Sequence, residues 1–473
     1  MFLLILASSF LYDNSVYYKD AGIYANMAKE MLNGRVLYRD VFDIKGPFIF
    51  FIYTLIYLFP TVKIGVYIID SILYTLIFFT HYKTIRLRKS VIFAYSIILV
   101  ELMLLPSMMR NILPDSFALL AFSYINYWIL SKQYLNPTKL QLILCGILTG
   151  LVFWIKFSLG VPIAIIYFYV IYNVFKNKLP GKINYFIYPL IGFIIPTVIV
   201  LGYFIYHEAI SDLIHCYFVV SSQYKMSGFD IEILNLVRMY FLIIMIMFFL
   251  IYSAIKEEKD FLFLIISYTI LIVPTFLIIK VVIDYYFVPF LAIFPFFSLV
   301  ESKNKYLFKI GFLVSLIFIC MMVPYNYSIL KEQNPQSWAY EQFAKDVNYK
   351  VDSATSLYVG MIDMFGELEE INYKYLFVPN LTYEVYPRMW DIIYEDVSNK
   401  NIEYLIFISA WQEVPDISKD FKGDAFFKKF FINGFSCNSE ITKDFIIKIN
   451  EKVIENYELF HVYDNYVVLT RKQ

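Results

Sequence analysis

DAGIYANMAKEMLNGRVLYRDVFDIKGP, residues 20–47, is the stretch on which the interpretation of the fold depends. Apolar residues recur at helical spacing in residues 20–32, which predicts an amphipathic helix lying along a membrane surface. Asp20 opens that helix at an N-cap position. An apolar run, residues 48–60, follows a Gly-Pro break. Between the helix and that run lie charges of both signs, namely Arg39, Asp40, Asp43 and Lys45.

The composition of the whole chain indicates whether it lies in water or in a membrane. Hydrophobic residues make up 60% of the 473 residues and charged residues only 17%, whereas an ordinary soluble protein is roughly 45–50% apolar. A soluble chain this apolar would precipitate, so the composition predicts a polytopic α-helical membrane protein. The net charge is zero, which gives no indication of a nucleic-acid partner.

Apolar runs of suitable length occur throughout the first two thirds of the chain. A membrane span needs about 20 mostly apolar residues, and slightly fewer in a thin bilayer. We therefore expect about eleven transmembrane helices within residues 1–324, which we interpret as one transmembrane domain. The predicted spans are 1–12, 64–80, 91–107, 112–130, 140–155, 159–175, 183–206, 236–255, 261–280, 285–300 and 306–324.

Two apolar runs near the N-terminus do not fit a simple span. Residues 1–12 are too short to cross a core of about 30 Å. We expect a partial helix or an upstream start there, in preference to a signal peptide, because no basic segment precedes the run. We interpret residues 48–60 as a helix in the outer interface, since every strongly basic short loop then falls on one side. That topology places the N-terminus inside and the C-terminus outside.

Polar interruptions of the apolar runs cluster at the predicted outer face. Charges near a membrane are costly, so those that persist there indicate a function. The first outer loop, residues 13–63, offers carboxylates and cations together, as needed to hold a phosphate while deprotonating an acceptor. The simpler alternatives are helix caps for Asp20 and Asp115 and a snorkelling side chain for Lys156. The polar residues at outer span ends are Arg110, Asp115, Lys156, Lys280, Asp284 and Tyr285.

Residues 325–473 have ordinary polarity and predict a small soluble α/β domain outside the membrane. Neither a Gly-rich phosphate loop nor a nucleophile elbow occurs in its sequence, so we expect capping or acceptor recognition and no chemistry. The predicted strands are 356–360, 375–380, 402–409 and a closing strand in HVYDNYVVLTRK (461–472), and the predicted helices are 338–348, 363–371 and 388–399.

In order and spacing, these features resemble the GT-C superfamily of integral-membrane glycosyltransferases. The likeness is greatest to the bacterial branch that includes the lipid A aminoarabinose transferase and relatives of the protein O-mannosyltransferases. The first 160 residues carry most of the resemblance, and YRDVFDIKGP (38–47) is its most specific part. The remaining matching stretches are ILPDSF (112–117), GLVFWIKFSLG (150–160) and DYYFVPFLAIFPF (284–296).

The resemblance implies a donor of the polyprenyl-phosphate-sugar type, presented from the membrane lipids. Its sugar would pass, usually with inversion, to a glycan, lipid or protein hydroxyl on the outer face of a bacterial plasma membrane. Asp20 would be the general base, and Asp115 a second carboxylate that orients the acceptor or supports the base. Lys45, with Arg39, would hold the donor phosphate. Further candidates are Arg110 and Lys156 for the phosphate, and Asp40, Asp43, Lys280, Asp284 and Tyr285 elsewhere in the site.

The sequence departs from the family pattern in one place that concerns metals. Relatives that depend on a divalent metal carry an acidic pair where this chain has Asp20-Ala21, so the sequence gives a divalent metal no support but leaves one open, and it indicates no other cofactor. Three alternative functions stay open. A lipid or polysaccharide transporter would usually show repeated halves, and an O-antigen polymerase or ligase would place its basic residues in a large late loop. An inactive homologue would not need Asp20, Asp115 and Lys45 together.

Overall fold

The computed structural model describes residues 19–104, 114–223, 243–244, 247–252, 259–278, 284–299, 354–356, 387–408, 440–463 and 466–472. These residues form two compact units. The first contains the described residues of Lys63–Gly202 and of Asp230–Glu332. The second contains those of Tyr17–Val62, Tyr203–Phe229 and Gln333–Gln473.

The first unit is built from long apolar helices. Three of them, Ile64–Ile85, Phe157–Lys176 and Asn184–Tyr206, are long and apolar enough to cross a membrane. With the shorter apolar helices around them, they give the architecture of a polytopic helical membrane protein. The helices are α3 (Val62–Ile85), α4 (Val91–Leu104), α5 (Pro114–Leu130), α6 (Lys139–Ile155), α7 (Gly160–Lys176), α8 (Asn184–Tyr206) and α11 (Lys259–Ile278), with a 3₁₀ helix over Asp284–Leu299.

The positions of these helices agree with the predicted spans from 64–80 to 183–206 and with 261–280. The span predicted at 285–300 is helical but of the 3₁₀ type. Pro289 and Pro295 lie within it, and proline supplies no backbone donor for an α-helical ladder. The predicted spans 1–12, 236–255 and 306–324 lie wholly or largely outside the described residues, so the number eleven stays a prediction.

Close backbone contact joins α6 to α8. A Cβ atom built on Gly192 would lie 2.1 Å from the carbonyl oxygen of Ile143, and one on Gly146 would lie 2.0 Å from that of Pro189. Small residues allow this approach, which is a common basis of helix association in membranes because the lipid offers no hydrophobic driving force between helices. The two glycines therefore set the distance between the helices.

Buried polar side chains connect further helices of the first unit. The His81 ring on α3 bonds Glu101 of α4 and Ser123 of α5 through its two nitrogens, each at 2.7 Å. The Asn126 amide on α5 donates to the Tyr268 hydroxyl of α11 at 2.7 Å. All five side chains are almost wholly buried. These bonds fix the rotation of each helix about its axis, because a polar group facing lipid would be costly.

The second unit begins with two short helices of the first outer loop. Helix α1 spans Lys19–Leu32, in agreement with the helix predicted over residues 20–32, and Gly34 follows it with φ of 88°. Helix α2 spans Pro47–Ile56, and its 10 residues cover about 15 Å, too short to cross the bilayer. Tyr24 of α1 packs edge-on against Phe50 and Tyr53 of α2, with ring centroids 5.8 and 5.4 Å apart. The interfacial location of residues 48–60 stays a prediction.

A short helical segment follows α8 in the second unit. Helix α9 spans Ile210–Leu213. It continues into a π-helical stretch, Ile214–Val220, and then into α10, Ser221–Gln223. Wide π-type turns often occur at functional positions.

The C-terminal residues of the second unit form a sheet with two helices. The strands are β1 (Ala354–Ser356), β2 (Tyr404–Ile408), β3 (Tyr457–Tyr463) and β4 (Tyr466–Arg471), and the helices are α12 (Pro387–Ser398) and α13 (Glu440–Asn456). The strand order is β1-β2-β4-β3, with β1 parallel to β2 and the other pairs antiparallel.

The predicted strand 402–409 and helix 388–399 are confirmed by β2 and α12. The prediction of one closing strand in residues 461–472 is wrong, because this stretch contributes to both strands of a hairpin. Tyr457–Tyr463 and Tyr466–Arg471 form separate strands that pair antiparallel to one another. Helix α13 was not predicted. The predicted elements 338–348, 363–371 and 375–380 lie outside the described residues, as do residues 357–360 of the strand predicted at 356–360.

We predict that Gly192→Ala destabilises the protein, because its methyl group would meet the Ile143 carbonyl and force α6 and α8 apart. Overpacking of this kind costs roughly 1–3 kcal/mol. The measurement is thermal unfolding in detergent. Gly202→Ala in the same helix is the matched control, since a Cβ there has nothing within 4 Å. Equal melting temperatures for the two variants would contradict the close contact.

Candidate functional site

An ion pair joins two of the predicted site residues in the first unit. The Lys156 ammonium lies 3.0 Å from one carboxylate oxygen of Asp115 and 3.3 Å from the other. Asp115 is in the first turn of α5, where the helix dipole favours a carboxylate. Lys156 directly follows the last residue of α6 and has an extended backbone. The start of α5 and the end of α6 therefore meet, which agrees with placing both residues at one face.

The burial of this pair is unequal. The Asp115 side chain is 2% exposed and the Lys156 side chain 27%. A carboxylate so deeply buried requires a partner, and Lys156 supplies it from a position that solvent or a ligand can still reach. From sequence, Asp115 and Lys156 were considered separately, as a helix cap and a snorkelling cation. In the structure the two side chains form one ion pair.

In the second unit, the segment between α1 and α2 holds Lys45 by its backbone. One carboxylate oxygen of Asp43 accepts hydrogen bonds from the backbone N–H of Ile44 at 2.5 Å and of Lys45 at 2.9 Å. The hydroxyl of Tyr38 donates to the backbone carbonyl of Lys45. Asp43 and Tyr38 are buried, whereas Lys45 is half-buried.

Arg39 forms a planar, two-bonded pair with its neighbour Asp40. Its Nε and Nη2 atoms lie 3.1 and 3.2 Å from the two carboxylate oxygens, and its Nη1 donates to the backbone carbonyl of His207 at 3.0 Å. Burial alone would raise the pKa of Asp40, but hydrogen bonds from Arg39 and the Val36 N–H outweigh it and lower that pKa. Arg39 thus links the first outer loop to the residue that follows α8.

Asp20 lies within the first turn of α1, one residue after the helix begins at Lys19. Asp20 therefore lies inside the helix and not at the N-cap position that the sequence predicted. Its side chain is outside the described part of the structure, as are those of Asp284 and Tyr285 at the start of the 3₁₀ helix. Arg110 and Lys280 lie outside the described residues altogether.

The structure therefore divides the predicted site residues between the two units. The first unit holds Asp115 and Lys156 in direct contact. The second unit holds the described candidates of the first outer loop, where Arg39 pairs with Asp40 and Asp43 binds the backbone of Lys45. Asp20 belongs to the second unit by its place in α1.

Some residues around the first outer loop were missed from sequence. Tyr38 is wholly buried and has φ of 66°, and its place inside the YRD triplet was the available signal. Glu30 at the end of α1 pairs with Arg35 at 3.0 Å, and burial raises the pKa of Glu30 although Arg35 opposes it. Asp212 of α9 pairs with Arg388 of α12 at 2.9 Å, a contact over a sequence distance that no local pattern reveals.

Metal-ligating clusters are absent from the part of the chain that the structure describes, where no group of three or more His, Cys, Asp or Glu side chains could hold a metal ion. Phosphate binding is a different matter, since one cation is enough to neutralise much of its charge. Lys45 and Lys156 are the two described lysines that the sequence marked for such a role.

Comparison with solved structures shows a fold shared over nearly the whole chain. The crystal structure of ArnT from Cupriavidus metallidurans bound to undecaprenyl phosphate matches with a TM-score of 0.56 and 14% sequence identity, over 99% of this chain and 97% of that chain. No protein-family model matches the sequence, and no curated protein does. The match over nearly the whole length confirms that the chain has the GT-C-like fold.

We predict that Lys156→Met costs more stability than Asp115→Asn, because it leaves the buried Asp115 carboxylate without a cation. The expected loss is about 3 kcal/mol, at the low end for a broken buried pair, since Lys156 is partly exposed. The measurement is thermal unfolding of both single variants and of the double variant. The double variant should recover most of the loss, and strictly additive losses would contradict the pairing.

Proposed function

We propose that this protein is a membrane glycosyltransferase that moves a sugar from a polyprenyl-phosphate-sugar donor to a hydroxyl of an envelope acceptor. The observation that carries the proposal is the shared fold over 99% of the chain with ArnT, whose crystal structure contains undecaprenyl phosphate. The chain itself supports the proposal through its YRDVFDIKGP segment. It also holds two lysines against carboxylates: the Lys156 ammonium contacts Asp115, and the Lys45 backbone N–H donates to Asp43.

The proposed chemistry begins with activation of the acceptor. A hydroxyl is a poor nucleophile, so a carboxylate within hydrogen-bond distance takes its proton as the new glycosidic bond forms, a contribution of roughly 10²–10⁴-fold. Asp20 is assigned this role, at the start of α1 on the first outer loop. The attack displaces polyprenyl phosphate from the anomeric carbon, with inversion of configuration.

The leaving group determines what the cations do. Breaking the sugar–phosphate bond places negative charge on the phosphate oxygens, and a fixed ammonium stabilises that charge most strongly where water is excluded. Lys45 is assigned to the donor phosphate because its backbone is fixed: its N–H donates to Asp43 and its carbonyl accepts from Tyr38. A fixed backbone limits the positions that the ammonium can reach. Arg39 assists by holding the loop, since its guanidinium is occupied by Asp40 and the His207 carbonyl.

Asp115 and Lys156 are assigned a supporting role. Asp115 would orient the acceptor or support the base, while Lys156 balances its charge and faces the more exposed side of the pair. Arg110 is a further candidate for the phosphate. The site would face the outside of a bacterial plasma membrane, with the N-terminus inside and residues 325–473 outside.

Asp20→Asn is expected to lower sugar transfer by at least about 100-fold, because an amide cannot accept the proton. The measurement is release of polyprenyl phosphate from labelled polyprenyl-phosphate-sugar in proteoliposomes with a crude envelope acceptor fraction. Asp212→Asn is the matched control, a carboxylate of the same unit paired with the exposed Arg388, and should retain activity. Release that is unchanged in Asp20→Asn would remove Asp20 from the site. Movement of labelled lipid between leaflets without release would make the protein a transporter.

Lys45→Ala is expected to reduce kcat/KM for the donor by roughly ten- to a hundredfold, the loss typical of a hydrogen bond to a charged group. The effect should appear in a lower kcat as well as in a higher KM for the donor, because Lys45 binds the donor phosphate and also stabilises the charge that develops on it, and thermal unfolding should show an unchanged fold. Lys29→Ala, in the last turn of α1, removes a cation from the same loop and serves as the control. Equal donor kinetics in Lys45→Ala and wild type would refute the assignment.

A further inference from the structure

The backbone of Lys45 is fixed from both sides. Its N–H donates to the Asp43 carboxylate at 2.9 Å, and its carbonyl accepts a hydrogen bond from the Tyr38 hydroxyl. Helix α2 begins two residues later at Pro47, whose ring fixes its own φ. A lysine side chain has four rotatable bonds, so its ammonium reaches a defined volume only when the backbone that carries it is held.

Tyr38 has an unusual backbone conformation. Its φ of 66° lies in the left-handed region, which a bulky side chain rarely adopts and which costs of order 1–3 kcal/mol. Glycine would adopt this conformation without strain. A tyrosine at this position therefore indicates that its side chain offsets the cost.

Several contacts hold Tyr38 in place within the second unit. Its N–H donates to the Val41 carbonyl at 2.8 Å. Its ring stacks on that of Phe204, with centroids 5.5 Å apart and planes 6° from parallel. The thiol of Cys216 lies 3.9 Å from its carbonyl oxygen. The ring thus anchors the loop against Phe204, and the backbone carbonyl meets Cys216 of the π-helical stretch.

The ring contacts do not explain the hydroxyl group. A phenylalanine would stack on Phe204 equally well, and the recorded hydroxyl bond of Tyr38 goes to the carbonyl of Lys45. Burial raises the pKa of Tyr38 well above its ordinary value, with the nearby Tyr217 and Asp43 acting in the same direction. The hydroxyl is therefore protonated at all physiological pH values and acts as a donor.

We propose that Tyr38 is a positioning residue that, together with Asp43, fixes the backbone of Lys45 so that its ammonium meets the donor phosphate. The proposal rests on the glycosyltransferase function proposed above and adds a residue to it. Tyr38 itself touches neither sugar nor phosphate in this role. It acts through the geometry of Lys45.

The first test is Tyr38→Phe, which keeps the ring and removes the hydroxyl. We expect kcat/KM for the polyprenyl-phosphate-sugar donor to fall by roughly three- to tenfold, the size of one net hydrogen bond, through a higher KM for the donor and a lower kcat, with the acceptor KM little changed. Tyr57→Phe is the matched control, because the Tyr57 hydroxyl also donates to a backbone carbonyl of the same unit, that of Ala25 at 2.8 Å. It should leave the donor KM within about twofold of wild type, a difference too small for a lost net hydrogen bond.

The second test asks whether Tyr38 acts through Lys45. Lys45→Ala removes the ammonium but keeps the carbonyl that Tyr38 binds. Adding Tyr38→Phe to Lys45→Ala should therefore cause no further loss of donor kcat/KM, a non-additivity that a double-mutant cycle measures. The same fold-loss in both backgrounds would overturn the proposal, since Tyr38 would then act independently of Lys45.

Asp43→Ala keeps the proposal falsifiable if Tyr38→Phe fails to fold. It removes the carboxylate that accepts the hydrogen bond of the Lys45 backbone N–H, so the donor KM should rise as in Tyr38→Phe. An unchanged donor KM would overturn the proposal. Failure of the proposed function gives a different result, in which wild type releases no polyprenyl phosphate from any donor. Wild-type release with equal donor KM in Tyr38→Phe and Tyr57→Phe would overturn only the positioning role.

Discussion

Hydrocarbon offers no hydrogen bonds, so every polar group among the apolar helices must find its partner within the protein. The described helices place several of their polar side chains in pairs that join separate elements: His81 to Glu101 and Ser123, Asn126 to Tyr268, and Asp115 to Lys156. Each pair costs free energy if it is broken and so selects one rotation and one register for its helices. The arrangement of the bundle, and with it the position of Asp115, depends on these few contacts.

The residues from α1 to the end of α2, in the second unit, follow a similar logic. Their side-chain hydrogen bonds go largely to backbone groups: Asp43 to the N–H groups of Ile44 and Lys45, Tyr38 to the Lys45 carbonyl, and Tyr57 to the Ala25 carbonyl. A loop held in this way needs little regular structure to present a charged side chain in one place. Rigid placement of a cation before the substrate arrives is what electrostatic catalysis requires.

Local pattern was sufficient for much of the fold. The apolar runs located α3 to α8 and α11, apolar residues at helical spacing located α1, and β-type residues located β2. Two predictions differ from the structure: the span predicted at 285–300 is a 3₁₀ helix over Asp284–Leu299, and the single strand predicted in residues 461–472 falls on two paired strands, β3 and β4. For the site, residue types and their order selected Asp115 and Lys156, yet gave them separate roles.

The sequence by itself determined that the chain lies in a membrane, that apolar helices build it, and which residues could take part in the chemistry. It could do so because composition and periodicity are properties of consecutive residues. Only the tertiary structure decided the partners. Lys156 meets Asp115 across 41 residues, and Arg39 meets the His207 carbonyl across 168. Tyr38 owes its importance to Phe204, Cys216 and Lys45 together. Such contacts depend on the rotation and register of packed elements, which are set by the sum of many weak interactions and leave no periodic trace in the chain.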